Sequence, residues 1–290
     1  MKRKLLVVIF ALLLVTACTN DDNYNDKHGD KAIIPQYGTT VTMMTYNIYG
    51  ARATDPSNAA DLDALAEVIK RQSPDFVALQ EVDKFTNRSG KTVHQARELA
   101  EKLDMYWHFT RAIDRDGGEY GDAVLSRFPI ESTLDFKLTP DPNLPGEDRS
   151  VCVIKVKVGG QELYVASTHL DHLSQDLSRK SQANQLRTII GDLNADVIVG
   201  GDFNALPDSE VMSIVGSYMI FGCKNGCDNT FPTSAPNRTI DYILYSPIEN
   251  FAVRSYSVVK PVDQKVDGVD ASDHLPVLAT LKLKIESEEK

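Results

Sequence analysis

Two stretches of this sequence share one pattern and predict the fold: DFVALQEVD at residues 75–83 and DVIVGGDFN at residues 196–204. Each begins with an aspartate, continues through mainly apolar residues and ends in acidic or amide side chains. Short apolar runs bounded by polar residues are typical of strands buried inside an α/β protein. We therefore expect two equivalent central strands, one leading to Glu81 and the other to Asp202.

The segments that lead into these two stretches also resemble each other. In the first half, residues 41–49 predict a strand, and residues 59–72 predict a helix that Ser73-Pro74 ends. In the second half, residues 163–168 predict a strand and residues 176–193 a helix. The chain thus repeats a strand, helix, strand plan, which indicates a duplicated architecture.

Polar landmarks recur at near-constant spacing between the halves. The second member of each pair follows the first by about 120 residues, and the pairs are Asn47 with His169, Glu81 with Asp202, Asp122 with Asp241, and Arg149 with His274. Two strand-rich halves with intervening helices predict two β-sheets packed face to face, with the helices outside. Because polar residues at strand ends then converge at one rim, we expect a single site shared by both halves.

The composition is that of a globular protein with an acidic surface. The 290 residues are 42% hydrophobic and 25% charged, which excludes a disordered or collagen-like chain. Acidic residues number 41 against 31 basic ones, so the formal net charge is −10. Binding to a long polyanion by bulk electrostatics is disfavoured at this charge, and affinity for phosphate requires local basic groups or metal ions.

The N-terminus predicts export and lipid anchoring. Lys2, Arg3 and Lys4 precede an apolar run over residues 5–15, which is shorter than the ~20 residues of a membrane span and fits a signal peptide over residues 1–17. Residues 15–18, VTAC, resemble a bacterial lipobox. This implies that Cys18 is acylated and holds the protein on a bacterial membrane, at a periplasmic or cell-surface location. A plain secretory signal with an incidental cysteine is the alternative.

The rest of the chain divides into a tether and one domain. Residues 18–37 are mostly polar, which predicts a flexible tether, and all the motifs above fall in one predicted domain over residues 38–285. Cys223 and Cys227 flank Lys-Asn-Gly, so they either close a small hairpin as a disulfide or remain free thiols. Cys152 lies in an apolar run and is expected in the core.

The candidate site residues share a chemistry of hard oxygen ligands and proton-transfer groups. Carboxylates and amides predominate, and no thiolate is among them: Asn47, Glu81, Asp122, Arg149, His169, Asp202, Asn204, Asp241, Asp273 and His274. Such a set suits Mg²⁺ or Mn²⁺ better than a zinc cage. A divalent ion held there would polarise a phosphoryl oxygen and neutralise its charge during substitution at phosphorus.

Seven motifs, taken in order, resemble the endonuclease/exonuclease/phosphatase superfamily, which has the DNase I-like fold. They are YNI at residues 46–48, LQEVD at 79–83, YGDAVLSRFPI at 120–130, STHLD at 167–171, GGDFNALPDS at 200–209, TIDYIL at 239–244 and SDHLPV at 272–277. The resemblance implies a four-layer α/β sandwich with two mixed sheets. It also implies metal-dependent hydrolysis of a phosphate ester by in-line attack of water.

The same resemblance assigns roles to the site residues. The metal ligands it implies are Asn47, Glu81 and Asp202, and Asp273 is either a further metal ligand or a residue that supports one. Asp202 would also orient or deprotonate the water, and Asn204 would donate a hydrogen bond to a phosphoryl oxygen. His274, oriented by Asp241, would take or stabilise a proton. His169 would stabilise phosphoryl charge or protonate the leaving group, and Arg149 would contact the phosphate.

One position departs from the superfamily pattern. Many members have asparagine where this chain has Asp122. An acid there is expected to add negative charge near the phosphate, so Asp122 is either an extra catalytic or metal group or a handicap.

The substrate is less sharply predicted than the reaction. The expected substrate is a phosphodiester of a lipid head group, a sugar phosphate or a nucleic acid. The enzyme is expected to be a monomer. The alternatives are a phosphomonoesterase of phosphoinositides or sugar phosphates, a secreted nuclease, and a surface binding module without activity. Residues 233–241 lack the motif of inositol-polyphosphate phosphatases, and the single tryptophan is Trp107, which does not match abasic-site endonucleases.

Overall fold

The computed structural model of the protein describes residues 39–52, 60–144, 146–223, 226–246 and 251–283. The predicted signal peptide, Cys18 and the tether lie outside these ranges, as do both ends of the predicted domain. None of the described helices combines the length and apolar content that crossing a bilayer requires.

Fourteen strands and four α-helices make up the described regular structure. In chain order they are β1 (Thr40–Asn47), α1 (Leu62–Gln72), β2 (Phe76–Lys84), α2 (Gln95–Leu103), β3 (Tyr106–Arg115), β4 (Gly118–Ser126), β5 (Ile130–Leu138), β6 (Arg149–Val158), β7 (Gln161–His169), α3 (Leu177–Leu193), β8 (Val197–Asp202), α4 (Glu210–Gly216), β9 (Ile220–Phe221), β10 (Asp241–Tyr245), β11 (Phe251–Val258), β12 (Lys265–Val266), β13 (Val269–Asp270) and β14 (Val277–Leu283).

Two six-stranded mixed sheets carry the predicted repeat. The first has the order β11-β14-β1-β2-β4-β3 and the second β5-β6-β7-β8-β10-β9. The central pair is parallel in each sheet, β1 with β2 and β7 with β8, and both flanking neighbours are antiparallel. The order β14-β1-β2-β4 therefore matches β6-β7-β8-β10. The predicted fold class is confirmed, including the internal repeat.

Three apolar layers hold the sandwich together. The middle layer lies between the sheets and contains residues from both, among them Met43, Ala78, Ile154 and Ile198. One outer layer joins α1 and α2 to the first sheet, and the other joins α3 and α4 to the second. The central strands are buried on both faces, which explains why they read as continuous apolar runs rather than as alternating ones.

The predicted helices were placed well, but two others were missed. Helix α1 begins after Asp61, whose carboxylate accepts from the Ala64 amide at 2.9 Å, and it ends at Ser73 with φ 49°. Helix α3 begins one residue after its predicted start. The sequence argument did not identify α2 and α4, which are short at nine and seven residues. Short helices produce only two or three apolar repeats, so their periodicity is weak.

The cysteines take two structural roles. Cys223 and Cys227 form a disulfide with their Cα atoms 5.3 Å apart, which decides between the two alternatives left by the sequence. The predicted turn residue Asn225 lies outside the described residues. Cys152 is a fully buried free thiol in the middle layer, as predicted.

Gly200 and Gly201 allow β8 to lie close to the opposite sheet and to the neighbouring strand β7. A Cβ atom on Gly200 would lie 2.8 Å from the Ala78 Cβ and 2.9 Å from the Thr45 Cβ, both on the opposite sheet. A Cβ on Gly201 would lie 2.5 Å from the Thr168 carbonyl oxygen. The two glycines thus set the approach of the sheets and of β7 just below the site.

We predict that Gly200→Ala lowers the free energy of unfolding by about 1–3 kcal/mol, because an added methyl group overpacks the sheet interface. Urea denaturation of both proteins measures this. Gly191→Ala in α3 is the matched control, since a Cβ there meets nothing within 4 Å, and it should be neutral or stabilising. Equal loss of stability in the two variants would contradict the packing explanation.

Candidate active site

The ends of the parallel strands bring the polar landmarks together at the seam between the sheets. His169 ends β7 directly beside Asp202 at the end of β8, and Asp241 starts β10 opposite Asp202. Asn47 ends β1 in the other sheet, and its side chain reaches Asp202 across the seam. The convergence expected from the repeat is therefore present in the structure.

Glu81 projects from a β-bulge. The register between β2 and β4 shifts between Leu79 and Val82, and Glu81 has φ 58°, in the left-handed region that side chains other than glycine rarely adopt. Bulges redirect side chains next to active sites, and local strain of this kind is concentrated there. The bulge turns Glu81 toward Asn47, whose Nδ2 donates to Glu81 Oε1 at 3.2 Å.

Asn47 links carboxylates from the two sheets. Its Nδ2 donates to Asp202 Oδ2 at 3.1 Å as well as to Glu81, and its Oδ1 accepts from the Tyr49 amide at 3.0 Å. The residue is fully buried. One amide group therefore offsets the repulsion between two acids that come from opposite halves of the chain.

Asp202 and Asn204 form a tight turn that also holds His169. The Asn204 amide donates to Asp202 Oδ1 at 2.9 Å, and Asn204 has φ 47°. The side-chain Nδ2 of Asn204 lies 3.0 Å from His169 Nε2, and His169 Nε2 lies 3.5 Å from Asp202 Oδ2. Burial and then Asp241 raise the pKa of Asp202, and His274 opposes this shift.

His274 and Asp241 form a buried acid–imidazole pair. His274 Nδ1 lies 3.0 and 3.1 Å from the two Asp241 oxygens, and its Nε2 lies 3.8 Å from Asp202 Oδ2. The Thr230 hydroxyl donates to Asp241 Oδ2 at 2.5 Å. Burial by itself lowers the pKa of His274, but the Asp241 carboxylate outweighs it and raises the pKa to about 10. His274 is thus a cation at neutral pH, between two carboxylates.

His169 has the opposite environment. Arg149 Nη1 donates to its Nδ1 at 3.4 Å, and Arg149 Nη2 donates to His172 Nδ1 at 3.0 Å. Burial and the Arg149 charge hold the pKa of His169 well below its ordinary value, so this imidazole is neutral. The two histidines, which occupy different positions in the repeat, therefore differ in charge.

Asp122 is a buried carboxyl group whose two oxygens have different surroundings. The Ser150 hydroxyl donates to its Oδ2, and its Oδ1 is buried with no hydrogen-bond partner among the described residues. Burial raises the pKa of Asp122 to about 8, against the lowering effects of Ser150 and Arg149. In the metal-free site burial therefore favours the protonated form of Asp122 at pH 7, which offers a hydrogen-bond donor in place of the expected negative charge.

Asp273 lies beside the site and has an unsatisfied oxygen. Its Oδ1 is buried with no hydrogen-bond partner among the described residues. Burial raises its pKa, His274 opposes the shift and Glu81 adds to it. The charges of His274 and Glu81 therefore both act on the Asp273 carboxylate.

The donor set fits a hard divalent cation. Ligand atoms of Asp202, Asp241 and His274 lie within 4.8 Å of one another. Of the predicted metal ligands Asn47, Glu81, Asp202 and Asp273, only Asp202 belongs to that trio. Oxygen donors dominate both sets, and the orphaned Asp273 oxygen is the kind of atom that a cation satisfies. The chemistry of the residues therefore agrees with a divalent-cation site.

Three residues that the sequence argument did not select support the site. Thr230 holds Asp241, Ser150 holds Asp122, and His172 accepts from Arg149. Only His172 had a local signal, since it adjoins the motif at residues 167–171. Thr230 and Ser150 reach their partners through tertiary packing, which no local pattern reports.

Comparison with known families agrees with this fold and site. The model of the Endonuclease/Exonuclease/phosphatase family matches residues 44–274, which include every candidate site residue. The chain therefore belongs to the endonuclease/exonuclease/phosphatase family.

Individual relatives are distant. A 5′-tyrosyl-DNA phosphodiesterase of Caenorhabditis briggsae is 25% identical over 201 residues, covering 66% of this chain and 51% of that protein, so the chain spans about half of its relative. A family structure from Bacteroides vulgatus superposes with a TM-score of 0.67 at 23% identity, covering 85% of this chain and all of the other. A mannosyl-6-phosphatase of Bacteroides thetaiotaomicron gives 0.64 at 22% identity, covering 83% and 99%. Similarity at this level shows the shared fold.

We predict that Asn47→Asp lowers the free energy of unfolding in metal-free buffer by about 3 kcal/mol or more, because it replaces the donor between two buried acids with a third acid. Urea denaturation in the presence of EDTA measures the change. Asn237→Asp in an exposed loop is the control and should have little effect. An unchanged denaturation midpoint for Asn47→Asp would show that the amide does not hold the two carboxylates.

Proposed function

We propose that the protein is an exported, metal-dependent phosphodiesterase that hydrolyses its substrate by in-line attack of water. The observation that carries the proposal is the buried Asp202–Asp241–His274 cluster, joined through Asn47 to Glu81. Buried, hydrogen-bonded acids and a charged imidazole at one rim are costly to folding, and they suit stabilisation of charge on a reacting phosphate. A binding module would not need paired proton-transfer groups.

In this proposal the side chains have different tasks in the hydrolysis. Asp202 accepts a proton from the attacking water, which its carboxylate orients. His274, held as a cation by Asp241, donates hydrogen bonds to the negative phosphoryl oxygens. The Asn204 amide also donates to a phosphoryl oxygen, while the neutral His169 keeps its proton and donates a hydrogen bond to the leaving-group oxygen, which takes its proton from solvent water. Arg149 and the neutral Asp122 add donors beside them.

The same residues would hold a cation. Asn47, Glu81, Asp202 and Asp273 are the proposed ligands for Mg²⁺ or Mn²⁺, which when bound supplies Lewis-acid activation of the phosphoryl group. Because the ion adds positive charge, an acidic protein can bind one phosphate ester without a broad basic surface.

The relatives support two ester classes. The nematode relative is a 5′-tyrosyl-DNA phosphodiesterase, which supports the diester, and the Bacteroides thetaiotaomicron relative is a mannosyl-6-phosphatase, which supports a phosphomonoester as the second candidate. The net charge of −10 disfavours a long nucleic acid that needs many phosphate contacts.

We further propose that Cys18 is lipidated and that the protein is displayed on a bacterial membrane. The support is the VTAC motif after an apolar segment and the polar residues that follow it. The phosphoesterase domain would then act on substrates outside the cytoplasm.

We expect hydrolysis of bis(p-nitrophenyl) phosphate or p-nitrophenyl phosphate to stop when EDTA removes divalent ions and to return on addition of Mg²⁺ or Mn²⁺. The protein from Thr19 onward is suitable for this assay. If turnover continues at its full rate in EDTA, the metal-dependent mechanism is wrong.

The Asp202→Asn variant should lose on the order of a hundredfold or more in kcat, because the amide cannot accept the water proton. The matched control is Asp192→Asn, an exposed aspartate at the far end of α3, which should keep the wild-type rate. Circular dichroism and denaturation midpoints check that both variants fold. Wild-type turnover by folded Asp202→Asn contradicts the assignment.

Lipidation of Cys18 is tested in a bacterial host that expresses the full chain. Metabolic labelling with an alkyne fatty acid should mark the wild type, and Cys18→Ser should remain unlabelled because it lacks the thiol. Cys152→Ser is the control and should be labelled as the wild type is. Equal labelling of Cys18→Ser would show that Cys18 is not the anchor.

A further inference from the structure

A cleft adjoins the candidate active site on the side of Asn204. Its volume is about 490 Å³, and its walls are the segment that follows β7 and the segment that follows β8. Asn204 lines it and also lies 3.0 Å from His169 Nε2. A group esterified to a phosphate at the site would therefore extend directly into this cleft. The volume lies in the range of small-molecule sites.

The apolar side of the cleft comes from two unusually exposed residues. Leu177 and Leu206 are 50% and 45% exposed, although each lies on a segment next to the site. Ala205 and Val211 continue the apolar lining. Exposed leucines on both walls of a cleft provide a surface for the carbon skeleton of a ligand.

The polar side of the cleft carries both signs of charge. Arg179 is nine-tenths buried, donates through Nη1 to the Asp171 and Leu173 carbonyls, and has a buried Nε with no partner among the described residues. Asp176 is compensated by Lys180 at 3.2 Å, and Asp208 is exposed. A second phosphate would meet the Asp208 carboxylate, and a quaternary ammonium would meet the Arg179 guanidinium without an aromatic cage.

A ligand that meets neither of these repulsions is neutral, and the polar lining favours one that both donates and accepts hydrogen bonds. Ser174 and Gln175 can donate to hydroxyl groups or accept from them, and the Asp208 carboxylate can accept from them, beside the apolar leucines. We propose that this cleft binds an uncharged, polyhydroxylated group, a sugar or polyol, esterified to the phosphate. The inference rests on the proposed function and specifies its substrate class.

The test compares hydroxylated and plain esters in the presence of Mg²⁺. The hydroxylated esters are glucose 6-phosphate and glycerophosphoglycerol, and the plain ones are p-nitrophenyl phosphate and bis(p-nitrophenyl) phosphate. Asp208→Ala and Leu206→Ala should each lower kcat/KM for the hydroxylated esters about tenfold, the value of one lost hydrogen bond or apolar contact, and change it less than about twofold for the plain esters. Asp192→Ala, at the opposite end of α3 from the cleft, should change neither.

Two further probes separate the occupants of the cleft. The dinucleotide pTpT carries an added negative charge, and p-nitrophenyl phosphorylcholine carries a positive one. Both should be poorer substrates than the hydroxylated esters of the same type. A preference for either charged probe that depends on Asp208 overturns the assignment to a neutral polyol.

The outcomes distinguish this inference from the proposed function. If plain esters are cleaved but the cleft variants affect all substrates equally, the cleft inference fails and the active site stands. If no ester is cleaved, the proposed function fails. Calorimetry of glucose 6-phosphate then still tests the cleft, since binding should weaken about tenfold in Asp208→Ala and remain unchanged in Asp192→Ala. Equal binding by the two variants, or no binding to the wild type, overturns the inference.

Discussion

Five carboxyl groups, those of Glu81, Asp122, Asp202, Asp241 and Asp273, lie close together at the seam between the sheets, and the fold must offset their mutual repulsion. Their folded arrangement relies on a specific partner for nearly every group. The Asn47 amide lies between Glu81 and Asp202, the His274 imidazolium pairs with Asp241, and protonation relieves Asp122. Buried like charges persist only with such compensation. The cluster thus concentrates positive and negative charge in a small, dry volume, which is the environment in which charge on a phosphate is stabilised.

The duplicated scaffold explains why the cluster forms at one place. Equivalent parallel pairs, β1 with β2 and β7 with β8, end at the same rim because the two sheets pack face to face. Equivalent positions have nevertheless diverged in chemistry. Asn47 bridges acids where His169 is a neutral imidazole, and Arg149 carries a fixed charge where His274 is a cation held by Asp241. A symmetric backbone therefore supports an asymmetric site, as directional attack on a phosphate requires.

The segments beyond the strands form the surroundings of the site, where selection of a substrate would take place. The site itself is common to a family whose members act on different esters, so the fold alone does not select a substrate. The cleft beside Asn204 differs in kind from the charged seam, because leucines and polar groups of both signs line it. Selection of the esterified group would then come from the loops after β7 and β8, whereas the phosphate chemistry belongs to the strand ends. This separation follows from the position of loops at the carboxyl ends of parallel strands.

The sandwich, its repeat and ten candidate site residues could be predicted from the amino-acid sequence, because buried strands have long apolar runs and their polar ends recur at matched spacing. Such patterns are local or periodic, so they can be recognised in the amino-acid sequence. Four features became visible in the folded protein: the raised pKa of Asp122, the packing role of Gly200, the bulge that turns Glu81, and the supporting contacts of Thr230 and Ser150. These depend on burial and on neighbours far away in the chain. The pKa of a carboxyl group or the space around a glycine is a property of the folded surroundings, which no residue carries in its own identity.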